Sequence, residues 1–142
     1  GSDLFVYGRI PLMISAQCVI KNVGKFCEMG NRVIGDVSKE YPDGTKRFEM
    51  IDRCQKSFFV RNHCKFCYNT IYNTLPMSLL QDADKVRKLG VSGFRLSFTV
   101  ESGQETREIA ERFAAVYMHD CEVKPDWLTG ETTRGHFNRK VE

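Results

Sequence analysis

A chain of 142 residues has room for one domain with a sizeable core, and 42% hydrophobic with 27% charged residues is the composition of an ordinary globular protein. No apolar run approaches the roughly 20 residues a membrane span needs, so no membrane partner is expected. A net charge of +3 is too small to imply a nucleic-acid partner by itself.

The opening Gly1-Ser2-Asp3 lacks the basic region and cleavage site of a secretory signal, and Gly1-Ser2 reads as the remnant of a removed tag. Residues 3–142 are expected to form a single domain, a piece of a longer cytoplasmic protein. Residues 4–15 follow as a strand broken by Gly8 and Pro11, because their mixed apolar content lacks helical spacing. Residues 16–45 hold Gly24, Gly30, Gly35 and the turn signal Pro42-Asp43-Gly44, and read as a long irregular segment. Residues 48–52 and 57–61 are expected to form a hairpin whose turn contains Arg53-Cys54-Gln55-Lys56. Cys64-Lys65-Phe66-Cys67 comes next, then a turn-rich passage through Asn69, Asn73 and Pro76.

Two helices are expected. The first runs from a Ser78 cap to Leu89, with Gln81 as capping-box partner, Leu79, Ala83 and Val86 on one face, and Gly90 as stop. The second opens at the capping box Ser102-Gly-Gln-Glu105 and runs to about His119, with Ile109, Ala110, Phe113, Val116 and Tyr117 on one face. Between them, Phe94, Leu96, Phe98 and Val100 alternate with the period of a strand over residues 93–101. The tail after Pro125 is polar. Strand and helix units joined by short links suggest an α/β chain, a parallel sheet or barrel carrying a cysteine-rich β-hairpin insertion. A full (β/α) barrel needs eight strands, so the two candidates, residues 4–15 and 93–101, make only about a quarter of one.

The chemistry concentrates in four cysteines. Cys64 and Cys67 form a CxxC, whose tight turn points both sulfurs to one side; Cys18 and Cys27 are separated by eight residues. In a reducing compartment, gathered thiolates hold a metal more often than a disulfide, and four of them narrow the choice to zinc or an iron–sulfur cluster. The 36 residues between the pairs exceed the about 15–20 of common zinc ribbons. That weakens zinc without deciding for a cluster.

Cys54, in the hairpin turn, and Cys121, after a helix end, read as free thiols. His63 reads as a surface-loop residue beside Cys64, His119 as a helix-end cation and His136 as part of the polar tail. Glu101 ends a strand and precedes a helix cap, the position of the catalytic rim in a parallel barrel. Arg9 and Arg95 lie within or beside apolar strands. An unpaired cation there is costly, so each either pairs with a carboxylate or binds an anionic ligand. No HExxH, GxSxG or P-loop occurs.

Several segments in order resemble one family: Val6-Tyr-Gly-Arg-Ile-Pro-Leu-Met13 leading to Cys18; Ile51-Asp-Arg53 with Phe58-Phe-Val60; Cys64 with Ile71-Tyr-Asn73 and Leu75-Pro-Met-Ser-Leu-Leu80; Phe94-Arg-Leu-Ser-Phe-Thr-Val-Glu101; and Thr133-Arg-Gly-His-Phe137. Over most of residues 5–141 this is similar to the C-terminal part of the collagenase-like peptidase family of unassigned catalytic type. The resemblance implies a TIM-barrel-like catalytic region, here only its last strand–helix units. Some members are described as proteases. Others support oxygen-independent or prephenate-dependent hydroxylation of RNA bases or of the ubiquinone ring.

Several of those members hold a [4Fe–4S] cluster on four cysteines. The resemblance places those ligands at Cys18, Cys27, Cys64 and Cys67, tips the metal from zinc toward a cluster, and sets Arg9, Arg95 and Glu101 at the barrel mouth. Cys54 stands where the family usually has Gly, which removes it from the ligand set. Lys140 likewise replaces the Gly of the closing motif. The implied partners are the rest of the chain's own barrel and RNA, with self-association as another way to cover open sheet edges.

Overall fold

The computed structural model describes residues 1–18, 46–63, 66–135 and 137. The irregular segment expected over residues 16–45 therefore lies almost wholly outside the described residues, as do Cys27, Cys64, His136 and Lys140. The chain is mixed α/β. It divides into two compact units, one made of Gly1–Arg9 with Leu75–Glu142 and the other of Ile10–Thr74. The single domain expected from length is thus a first unit interrupted by a second, and the second carries five of the six cysteines.

In the first unit, β1 (Asp3–Gly8), β6 (Met77–Ser78) and β7 (Gly93–Ser97) form a three-stranded sheet in the order β6-β1-β7. β1 runs parallel to β7, pairing Leu4 with Phe94, Tyr7 with Leu96 and Gly8 with Ser97. It runs antiparallel to β6, pairing Tyr7 with Ser78. Being central, β1 is the strand that disappears from solvent: Val6 is fully buried and Tyr7 nearly so. The parallel pair expected from residues 4–15 and 93–101 is present, although β7 stops at Ser97 and residues 4–15 split between the two units. Thr133 extends the other side of the sheet through a parallel bridge to Met77, with Ser78 N–H donating to Thr133 O at 2.9 Å.

The helix expected from Ser78 to Leu89 is shorter than its apolar spacing suggests. Ser78 is consumed by the β6 pairing, residues Leu80–Asp82 form a 3-10 turn, and α1 covers only Ala83–Arg87 without a side-chain cap. A local cap signal lost here to backbone pairing with a distant strand. The rest of that reading holds: Leu79, Ala83 and Val86 are buried, and Gly90, at φ +67°, ends the helix in a backbone region that favours glycine.

The second helix, α2 (Gly103–His119), is as expected. Ser102 Oγ accepts from Glu105 N–H, and the Glu105 carboxylate accepts from Ser102 N–H at 2.7 Å; these bonds also hold the Glu105 carboxyl below its ordinary range. Its buried face, Phe113, Val116 and Tyr117, packs aromatic against aromatic: Tyr7 lies 5.6 Å from Phe113 and Phe94 4.6 Å from Tyr117, ring centre to ring centre.

The Tyr117 hydroxyl donates to Leu79 O at 2.8 Å. Burial, and secondarily the charge of Asp82, push this phenol up to about 12. An unfolded tyrosine titrates near 10. Between those values the unfolded chain has lost a proton that the folded chain keeps. The stabilisation is full below about pH 10 and disappears as pH rises toward about 12. Urea midpoints measured across this window should fall with pH, and Tyr117→Phe should reduce the slope.

The second unit is an antiparallel sheet in the order β2-β5-β4-β3, made of β2 (Pro11–Ser15), β3 (Lys46–Ile51), β4 (Ser57–His63) and β5 (Tyr68–Tyr72). The predicted hairpin is β3–β4. Its turn needs neither Gly nor Asn, because the Asp52 carboxylate accepts from both Cys54 N–H (2.7 Å) and Lys56 N–H (2.8 Å) while Gln55 takes φ +59°. Among the described residues, the buried apolar side chains of this unit are only Val60 and Ile71, whereas Leu12, Met13, Ile14 and Ile51 are exposed.

Candidate functional site

The C-terminal ends of parallel strands are where α/β folds place their chemistry, and in the first unit a carboxylate clamp forms just past the ends of β1 and β7. Glu101, with its side chain 7% exposed, is gripped from four directions. Its Oε1 accepts from Arg9 Nη1 at 2.8 Å and from the Tyr7 hydroxyl at 3.1 Å. Its Oε2 accepts from Thr99 N–H at 2.7 Å and Val100 N–H at 3.1 Å. Four donors fill the roughly four lone-pair positions of a carboxylate. As arranged, Glu101 therefore acts by fixing Arg9 and Tyr7, with no lone pair turned toward a ligand. The Tyr7 phenol is pushed far above its ordinary range, first by burial and then by the Glu101 charge and hydrogen bond. It is a hydrogen-bonding group, neutral throughout the physiological range.

The clamp borders an open cavity of about 330 Å³, whose lining includes Ile109 and Arg112 of α2 and Trp127 of the 3-10 turn Pro125–Leu128. Positive, negative and aromatic groups thus face one space. Of the three expected rim residues, the structure brings Arg9 and Glu101 together but places Arg95 elsewhere. Arg95 lies on β7 with its side chain 66% exposed, its Nη2 3.5 Å from Asp3 Oδ2. Both readings of a strand arginine are thereby answered with a carboxylate partner. Tyr7 and Trp127 were not singled out by sequence. Tyr7 could have been, since it sits two residues before Arg9, the spacing that puts two strand side chains on one face.

In the second unit, the register places two of the four expected thiol ligands at one end of the sheet. β2 ends at Ser15, opposite Asn69, and β5 begins directly after Cys67. Cys18, three residues beyond Ser15, accepts a hydrogen bond at its Sγ from Asn62 Nδ2 at 3.4 Å. Cys67 is exposed and takes φ +54°, a left-handed backbone that turns the chain into β5. Cys18, Cys54 and Cys121 are free thiols, with Cys54 and Cys121 exposed in a turn and after a helix as expected. Among the described residues no three His, Cys, Asp or Glu side chains form a metal-sized group.

His63 corrects the sequence reading. It is the last residue of β4 rather than part of a loop, its ring stacked on Tyr68 at 4.2 Å and its Nε2 3.3 Å from Thr70 Oγ1. No helix among the described residues is long and apolar enough to cross a membrane. No family model, curated protein or solved structure matches the chain.

Proposed function

We propose that this chain is the C-terminal part of a collagenase-like peptidase family enzyme of the cytoplasm. In this reading it binds a [4Fe–4S] cluster through Cys18, Cys27, Cys64 and Cys67 and serves oxygen-independent hydroxylation of an RNA base or a quinone precursor. The observation that carries this reading is the sheet register, with Cys18 and Cys67 at the same end of β2 and β5. These two ligands come from the two halves of the quartet, with 48 residues between them in the chain, as a shared metal centre requires. When bound, the cluster would supply one-electron chemistry.

The first unit supports an α/β barrel reading through its parallel β1–β7 pair with α2 against it, and through a polar clamp at the strand ends. Arg9 and Glu101 belong to the rim in this reading, and Arg95 belongs to the strand that carries it there. Peptide hydrolysis ranks below hydroxylation chemistry, because the sequence carries neither the HExxH nor the GxSxG motif of common hydrolases. A structural zinc site in an RNA- or protein-binding module is the competing reading of the cysteines.

Protein purified without oxygen separates them. It should be brown, absorb broadly through the visible range, and carry roughly four irons and as many acid-labile sulfides per chain. One zinc per chain and no colour, from the same preparation, is the outcome that replaces the cluster with zinc.

A further inference from the structure

Two asparagine side chains in the second unit, Asn62 and Asn69, are fully buried, and they are direct register partners on β4 and β5. Burying an amide is favourable only when its hydrogen bonds are made. Asn69 Nδ2 donates to the carbonyl of Gln17. Asn62 Nδ2 donates to Asn69 Oδ1 and to Cys18 Sγ, the latter at 3.4 Å. Gln17 and Cys18 are consecutive, so the two amides grip adjacent residues of one backbone: Asn69 fixes the carbonyl, and Asn62 is aimed at the sulfur.

We infer that Asn62, oriented by Asn69, is a positioning residue for the ligand Cys18, holding its sulfur in place and raising the reduction potential of the metal centre that sulfur serves. This rests on the cluster reading above. A hydrogen bond to a ligating sulfur stabilises the more negative, reduced state of a cluster over the oxidised one, so the bond raises the potential and its loss lowers it. A neutral amide does this at every pH, since Asn does not titrate.

The test uses the full chain, purified and reconstituted without oxygen. Reduction potential is read by a dye-mediated titration monitored by electron paramagnetic resonance, and ligand hold by the rate at which a ferrous chelator removes iron. Asn62→Leu keeps the branched shape and removes the donor. It is expected to shift the potential to a more negative value and to release iron about 10-fold faster or more. Asn69→Leu leaves the donor but removes its orienting acceptor, and is expected to move both quantities in the same direction by less.

An Asn62→Leu protein with wild-type potential and wild-type iron release overturns the inference while leaving the cluster in place. If Asn62→Leu does not fold, Asn69→Leu decides: a more negative potential supports the inference, an unchanged one overturns it. Wild-type protein that takes up neither iron nor sulfide removes the cluster reading and this inference together.

Discussion

Glu101→Ala is expected to destabilise the unit formed by Gly1–Arg9 and Leu75–Glu142 by about 3–5 kcal/mol, the range for breaking a buried ion pair from one side. The arithmetic follows from what is left behind. Arg9, with its side chain 17% exposed, keeps its charge but loses its carboxylate partner, and the Tyr7 hydroxyl loses the acceptor it reaches at 3.1 Å. The N–H groups of Thr99 and Val100 lose the oxygen that ties the β7–α2 link together. Removing both charges is a different perturbation. Arg9→Met with Glu101→Leu leaves no orphaned charge and is expected to recover part of the loss, the Tyr7 hydroxyl and the two N–H groups still lacking their acceptor. Urea unfolding of the wild type, Glu101→Ala and the double variant checks this, provided the slopes agree. Equal midpoints for wild type and Glu101→Ala would mean the clamp contributes nothing to folding.

A second large effect is expected at Gly8. This residue sits at φ +138°, a region L side chains rarely adopt. A Cβ there would overlap the carbonyl oxygen of Ser97, its own partner in the parallel pair, and lie 2.9 Å from Phe5 Cζ. Gly8→Ala therefore combines backbone strain of about 1–3 kcal/mol with overpacking of about 1–3 kcal/mol, against a total stability for a domain of about 5–15 kcal/mol. Because Gly8 directly precedes Arg9, relief by backbone movement would pull Arg9 from Glu101. The expected result is a large fall in the urea midpoint accompanied by loss of β1–β7 protection in hydrogen exchange. Wild-type protection and an unchanged midpoint in the variant would show that the β1–β7 pair accommodates the added Cβ without separating.

Much of the α/β character was legible because it depends on local signals. The Ser102–Glu105 capping box, the apolar face of α2, the Gly90 stop and the β3–β4 hairpin all express the preferences of neighbouring residues. What sequence could not supply was contact between distant segments. Ser78 reads as a helix cap until β6 pairs with β1 and takes it into the sheet. Glu101 is marked by its place before a helix, but its partners, Arg9 and Tyr7, are set by the parallel pairing of two strands some ninety residues apart. Arg9 and Arg95 look alike in sequence, each an arginine beside apolar strand residues. They diverge because one emerges past a strand end and the other points from the middle of an edge strand. The cysteine spacing reads as a candidate metal site, whereas Asn62 and Asn69 read as ordinary polar residues until the register makes them partners.

The most direct test of the central claim is a crystal structure of the full chain grown without oxygen, with anomalous diffraction collected on both sides of the iron and zinc absorption edges. The expected result is a compact group of iron peaks within bonding distance of the sulfurs of Cys18, Cys27, Cys64 and Cys67, with Cys54 and Cys121 remote from it. A single zinc peak among those sulfurs, or a disulfide between any two of them, would contradict the assignment.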